Sequence, residues 1–231
     1  MSFYNFCRSE GKRKSKSRPT TNRKGETPLF RACKKGYVDG VRLLLKRTDI
    51  DVNQADNVGR TPLYITCEKG HVDIVRLLLD RKEIDVNQSS KVNGFTPLCA
   101  TCYEGHVGVV RLLLDMPDIN VNQAEKSGGT PLLFASAFGF VDIVRLLLAQ
   151  PGIKINEAGE DGRTPLWLAC FMGHVGVIEL LLAQPGIKIN QKDNSGKTPL
   201  EHAVIWKSTE IIELLKAALL KAKIKKKYYL F

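Results

Sequence analysis

Gly59-Arg60-Thr61-Pro62-Leu63, followed by Gly70-His71-Val72, Val75-Arg76-Leu77-Leu78-Leu79 and Ile84-Asp85-Val86-Asn87, is one unit of a pattern that most of the chain repeats. Thr-Pro-Leu begins at Thr27, Thr61, Thr96, Thr130, Thr164 and Thr198, at intervals of 34, 35, 34, 34 and 34 residues. Self-similarity at such a period marks a stack of supersecondary units, each too small to bury its own apolar face. Thr ahead of Pro is an N-cap followed by the one helical position where a missing N–H costs nothing. Gly36, Gly70, Gly105, Gly139 and Gly173 each fall nine residues after their threonine, where a short helix ends on a left-handed residue. The Val and triple-Leu run that follows, Val41 with Leu43-Leu44-Leu45 and its equivalents, is apolar on too many sides for a surface helix, so neighbouring units must cover it. Between units, Asp56-Asn57-Val58-Gly59 and Asp193-Asn194-Ser195-Gly196 carry Asp first and Gly fourth, as a type I turn prefers. The stretch from Ser89 to Phe95 holds one extra residue, which accounts for the 35-residue interval.

This pattern resembles the ankyrin repeat family, whose Thr-Pro-Leu-His-x-Ala signature recurs about every 33 residues. The resemblance covers residues 25–216 and implies an all-α solenoid of stacked helix-turn-helix units with β-turn fingers. It divides the chain into a basic N-terminal arm, 1–24, six repeats (25–58, 59–93, 94–127, 128–161, 162–195 and 196–216), and the end of a capping helix with a basic tail, 217–231. Four residues after each Thr stand Arg31, Ile65, Ala100, Phe134, Leu168 and His202, polar only at the two ends. Repeat six also carries Lys207 in place of the glycine and Lys216 in place of the third leucine. These departures predict polar caps on a complete array of six.

Composition agrees with a packed body. The 231 residues are 43% hydrophobic and 26% charged, which excludes a wholly disordered or collagen-like chain. Lys and Arg number 35 against 24 Asp and Glu, for a net charge of +11. Residues 1–24 hold eight bases and one acid, and residues 216–231 hold six lysines and no acid, leaving 21 bases against 23 acids in the body. The basic balance therefore describes two ends around a near-neutral middle, not a continuous nucleic-acid-binding face. No apolar run approaches the ~18 residues of a membrane span, and no secretory core opens the chain, so an intracellular protein of cytoplasm or nucleus is expected. Lys12, Arg13, Lys14, Lys16 and Arg18 in the arm resemble an import signal. The same basic ends are the candidate contacts for nucleic acid or an anionic membrane, and Cys7 beside them is the candidate lipidation site.

Candidate chemical motifs mostly dissolve into repeat phase. His71, His106 and His174 share one position after the glycine, and a ladder of equivalent side chains does not converge on a metal. Cys33, Cys67, Cys102 and Cys170 share a small-residue position, where a thiol behaves as a small hydrophobe, and the Cys99–Cys102 pair lacks a companion pair. No nucleophile with its base and no phosphate-cradling loop is evident, so no catalysis, cofactor or metal is expected. Arg42, Arg76, Arg111 and Arg145 form a column, three of them with an acid three residues earlier (Asp39, Asp73, Asp142), which predicts solvated ion pairs. Asn53, Asn87 and Asn122 resemble positions that asparaginyl hydroxylases modify in this family; the alternative is an Asn that satisfies its own turn.

The resemblance places a concave binding face on the fingers and first helices, with exposed residues seven and eight positions after each Thr. In order these are Lys34-Lys35, Glu68-Lys69, Tyr103-Glu104, Ala137-Phe138, Phe171-Met172 and Ile205-Trp206. Charge gives way to aromatics, so the partner-binding residues are predicted to be Tyr103, Glu104, Phe138, Phe171, Met172, Ile205 and Trp206. The sequence thus points to a monomeric adaptor or inhibitor of a protein partner on repeats three to six, with no small-molecule substrate. The terminal Tyr228-Tyr229-Leu230-Phe231 is a rival occupant of that face if the last helix ends near Lys223.

Overall fold

The computed structural model describes residues 21–228, with side chains as far as Ile224. Twelve helices and no strand occur among the described residues, arranged as six pairs: α1 (Pro28–Lys35) with α2 (Val38–Leu45), α3 (Pro62–Glu68) with α4 (Val72–Leu79), α5 (Pro97–Glu104) with α6 (Val107–Leu114), α7 (Pro131–Ala137) with α8 (Val141–Leu148), α9 (Pro165–Met172) with α10 (Val175–Leu182), and α11 (Pro199–Ile205) with α12 (Thr209–Tyr228). First helices stack on first helices and second on second in chain order, which makes an all-α solenoid.

Each unit is built as its residues dictate. Thr61 Oγ1 accepts from Tyr64 N at 3.0 Å, and the threonine of every other repeat caps its helix in the same way. In repeat six the Glu201 carboxylate also accepts from Thr198 N, completing a capping box. The repeat glycines sit at positive φ, 69° at Gly70, and a Cβ there would lie 2.7 Å from the His106 ring of the next repeat. That close approach has a purpose: His106 Nε2 donates to the Glu68 carbonyl at 3.1 Å, and His174 Nε2 to that of Ala137 at 2.9 Å. His106 and His174 of the histidine column are therefore links between repeats. Lys207 keeps the left-handed turn in repeat six, at φ 55°, a conformation that favours glycine.

Ile74, Val75, Leu78 and their equivalents in repeats three to five are fully covered by adjacent units, as the triple-Leu pattern requires. Cys33, Cys67, Cys99, Cys102 and Cys170 are all buried and free. Burial pushes the thiols of Cys33, Cys67 and Cys170 up to about 12 and that of Cys99 to about 11.

The asparagines do more than satisfy local turns. Asn53 Nδ2 donates to the Glu83 carbonyl and its Oδ1 accepts from Asp85 N at 2.9 Å, both in the next repeat. Asn87, Asn122 and Asn156 clamp the following loop with the same pair of bonds. The expected Arg pairs do not form: among the described residues no acid lies within ion-pair distance of Arg42, Arg76, Arg111 or Arg145, although all four are exposed. Ordering two solvated side chains would cost more than a screened contact returns.

Three features of the ends differ from the sequence expectation. Repeat one starts earlier than Gly25, because Asn22 Oδ1 accepts from Lys24 N and Glu26 N, and the Lys24 carbonyl accepts from Asn57 N of the second finger. The remainder of the basic arm, with Lys12, Arg13, Lys14, Lys16, Arg18 and Cys7, lies outside the described residues. At the other end, His202 does not provide an outer polar face: its side chain is only 15% exposed, packed inward against Trp167 at 4.4 Å. The position left uncovered by a following repeat is Val204, the equivalent of the buried cysteines, at 52% exposure. Finally, α12 runs to Tyr228, not to Lys223. The remaining residues of the tail, Tyr229, Leu230 and Phe231, lie outside the described residues.

Candidate partner-binding site

The first-helix positions seven and eight residues after Thr emerge beside the fingers, and in each repeat from the third onward at least one of the two is aromatic: Tyr103, Phe138, Phe171 and Trp206. Tyr103 at the end of α5 meets Phe138 at 4.9 Å, Phe134 of α7 at 5.7 Å and Phe95 at 5.8 Å, all edge to face. Phe95 and Phe134 lie 4.9 Å apart. Tyr103, Phe134 and Phe138 wall a cleft of 440 Å³ together with Leu168, and Glu160, Asp161 and Arg163 of the fifth finger close its other side.

A second cluster follows on α9 and α11. Phe171 stacks on buried Trp167 at 5.2 Å and meets His202 and Trp206 edge-on at 5.7 and 6.2 Å. Arg163 covers the Trp167 ring at 4.3 Å and reaches to within 5.7 Å of Phe171, with Asp161 at 3.4 Å. This finger arginine thus borders both clusters and fixes the rings beneath it through cation–π contact. Burial lowers the His202 pKa, the Asp193 carboxylate 3.8 Å away opposing it and the charges of Lys197 and Arg163 adding to it. Burial pushes Asp193 upward, but the Ser195 hydroxyl and the amide N–H groups of Lys197 and Ser195 outweigh that and hold it below the usual carboxylate range. Near neutral pH the pair is therefore a neutral imidazole beside a carboxylate. Ser195 Oγ donates to Asp193 at 2.7 Å, so the serine hydroxyl is paired with the carboxylate.

The seven predicted residues fall into three sets. Tyr103 and Phe138 wall the cleft, while Phe171 and Trp206 form the exposed part of the second cluster. Glu104, Met172 and Ile205 are exposed on or beside the same helix ends but do not line the cleft. Tyr103, Phe138, Phe171 and Trp206 are 44, 42, 40 and 66% exposed, a row of large rings left open to solvent. Sequence reasoning overlooked Phe95, Phe134, Arg163, Trp167 and His202. Their signal was phase: they stand just before Thr, or three and four residues after it, positions that face the fingers. Phe134 and His202 were instead weighed as markers of array ends. Among the described residues no group of three His, Cys, Asp or Glu side chains is placed to hold a metal, and no helix is long and apolar enough to cross a membrane.

A family model described as ankyrin repeats (3 copies) matches residues 8–90, 82–159 and 156–227. No curated protein sequence matches the chain. Among solved structures, the ankyrin repeat protein EF0377 is similar with a TM-score of 0.77 and 26% identity, covering 85% of this chain and 98% of its own. An ankyrin repeat domain (ABAYE2397) from Acinetobacter baumannii AYE gives a TM-score of 0.75 at 26% identity, over 83% of this chain and 97% of that one.

Proposed function

Because the chain belongs to the ankyrin repeat family, whose repeats are in general protein-interaction modules, we propose that it is a non-catalytic, intracellular adaptor or inhibitor that holds one protein partner on the concave face of repeats three to six. The observation that carries this reading is the row of half-exposed rings, Tyr103, Phe138, Phe171 and Trp206, set on helix ends that the stacking already makes rigid. Large aromatics and Arg are enriched at the centres of protein interfaces, and Arg163 stands among these rings. An amphipathic helix or an extended segment is the partner element suited to a groove of this kind.

The test is the pair Phe138→Glu and Phe171→Glu in the tagged full chain. Captured partners identified by mass spectrometry with the parent protein should be lost with the double variant, while its helical circular dichroism is retained. Capture that survives the double substitution would remove the concave face from consideration.

A further inference from the structure

The Asn clamps that join successive loops form a series with an open last member. Asn53, Asn87, Asn122 and Asn156 each donate through Nδ2 to a carbonyl of the next loop and accept through Oδ1 from the amide two residues later. The segments they hold are Glu83-Ile84-Asp85, Asp118-Ile119-Asn120, Gly152-Ile153-Lys154 and Gly186-Ile187-Lys188. Asn190 is the fifth copy, and the loop it would clamp does not exist, because α12 continues as helix where the other second helices stop. Its exposed amide meets no partner among the described residues.

A groove lies where that loop would run. It encloses 660 Å³ between Ile187 and Ile189 of the fifth loop and Leu214, Ala218, Lys221 and Ala222 of α12. The α12 residues recur at three- and four-residue spacing and so share one helix face. The small side chains of Ala217, Ala218 and Ala222 leave the groove open. A second hollow continues from it past Lys188, Asn190 and Gln191. Gln191 Oε1 is buried there without a hydrogen-bond partner, an acceptor that folding has desolvated and left unfilled.

We propose that this groove docks an extended acidic segment of a partner protein, with β-branched residues at alternate positions, whose carbonyl and amide close on Asn190 as Gly186 and Lys188 close on Asn156. The four internal clamps set the register, placing an Ile between the two bonded backbone groups in every case. Charge sets the sign: Lys188 and Lys221 border the groove against one acid, Glu179, and residues 216–231 hold six lysines and no acid. Two of the four internal segments begin with an acid, Glu83 and Asp118, and the first also carries Asp85. The surface is separate from the aromatic concave face and does not depend on it.

The probe is a fluorescein-labelled hexapeptide with the sequence of residues 83–88, Glu-Ile-Asp-Val-Asn-Gln, titrated into the full chain by fluorescence anisotropy. Saturable binding is expected, weakening about tenfold in Asn190→Ala from the loss of two hydrogen bonds. Ala218→Trp should block the groove, and a peptide with Lys in place of its Glu and Asp should bind more weakly. The Phe138→Glu, Phe171→Glu variant should bind the probe as the parent does. Asn190→Ala has no bond to lose among the described residues, so its melting curve should match the parent and a weaker titration reports the site itself. An unsaturated titration, or equal binding by Asn190→Ala, overturns the proposal. Concentration-dependent self-association that Asn190→Ala abolishes also overturns it, in favour of a second copy of the chain as occupant.

Discussion

Replacing Asn122 by Ala removes one complete clamp from the middle of the solenoid. Its Nδ2 donates to the Gly152 carbonyl at 2.9 Å and its Oδ1 accepts from Lys154 N at 2.9 Å, so the third loop is tied to the fourth by two bonds through one side chain. A net hydrogen bond contributes about 0.5–1.5 kcal/mol. Both bonds lie at the solvent edge, where water takes over the orphaned groups, so the loss belongs at the lower end, about 1–2 kcal/mol for the pair. For a chain of this size that corresponds to a fall in melting temperature of about 2–8 °C. Because each repeat contacts only its neighbours, the transition should also broaden as the third and fourth repeats uncouple. Urea and thermal unfolding followed by circular dichroism measure both effects. Asn190→Ala, the same chemical change at the position with no clamp partner, should stay within about 0.5 kcal/mol of the parent. Equal destabilisation of the two variants would refute the reasoning, because it would mean that the amide acts within its own turn and not between repeats.

Thiol chemistry gives a second check: the chain has six cysteines, five of them buried, with Cys33, Cys67 and Cys170 pushed up to about 12. A disulfide exchange reagent should therefore leave these five thiols unmodified in the native protein and react with all of them after denaturation. Lys207→Gly should stabilise the chain by about 1 kcal/mol in urea titrations, since it relieves a left-handed residue at φ 55°. Burial lowers the His202 pKa, so the unfolded chain binds this proton more readily than the folded one. The stabilisation linked to neutral His202 is complete above the unfolded value near 6.5 and is lost as pH falls through the lower folded value. His202→Gln should accordingly lose less stability than the parent between about pH 7.5 and about pH 5 in paired unfolding titrations, and an unchanged pH dependence would remove this assignment.

The period was enough to determine the architecture, because every element of the unit is local. Thr-Pro starts a helix, Gly ends it, and a second helix too apolar for solvent requires a copy of itself alongside. Those constraints act over fewer than ten residues and recur in phase, so twelve helices in six pairs were legible before any contact was seen. The buried cysteine column followed for the same reason, and so did the exposure of Tyr103, Phe138, Phe171 and Trp206, which stood at two adjacent phased positions on helices whose buried faces were already filled. What the sequence could not supply is which side chains meet across the 34-residue spacing. Phe95 and Phe134 join Tyr103, and Arg163 lies over Trp167, only because stacking brings a finger, a helix start and a helix end from successive repeats to one face. The ends were decided by tertiary structure as well: His202 is polar in sequence yet turned inward onto Trp167, and Val204 is open to solvent at the position where the other repeats bury a small residue. Asn190 makes the distinction plainest. Its residue type and phase are those of Asn156, but a hydrogen bond needs a partner in space, and the straight course of α12 leaves it with none.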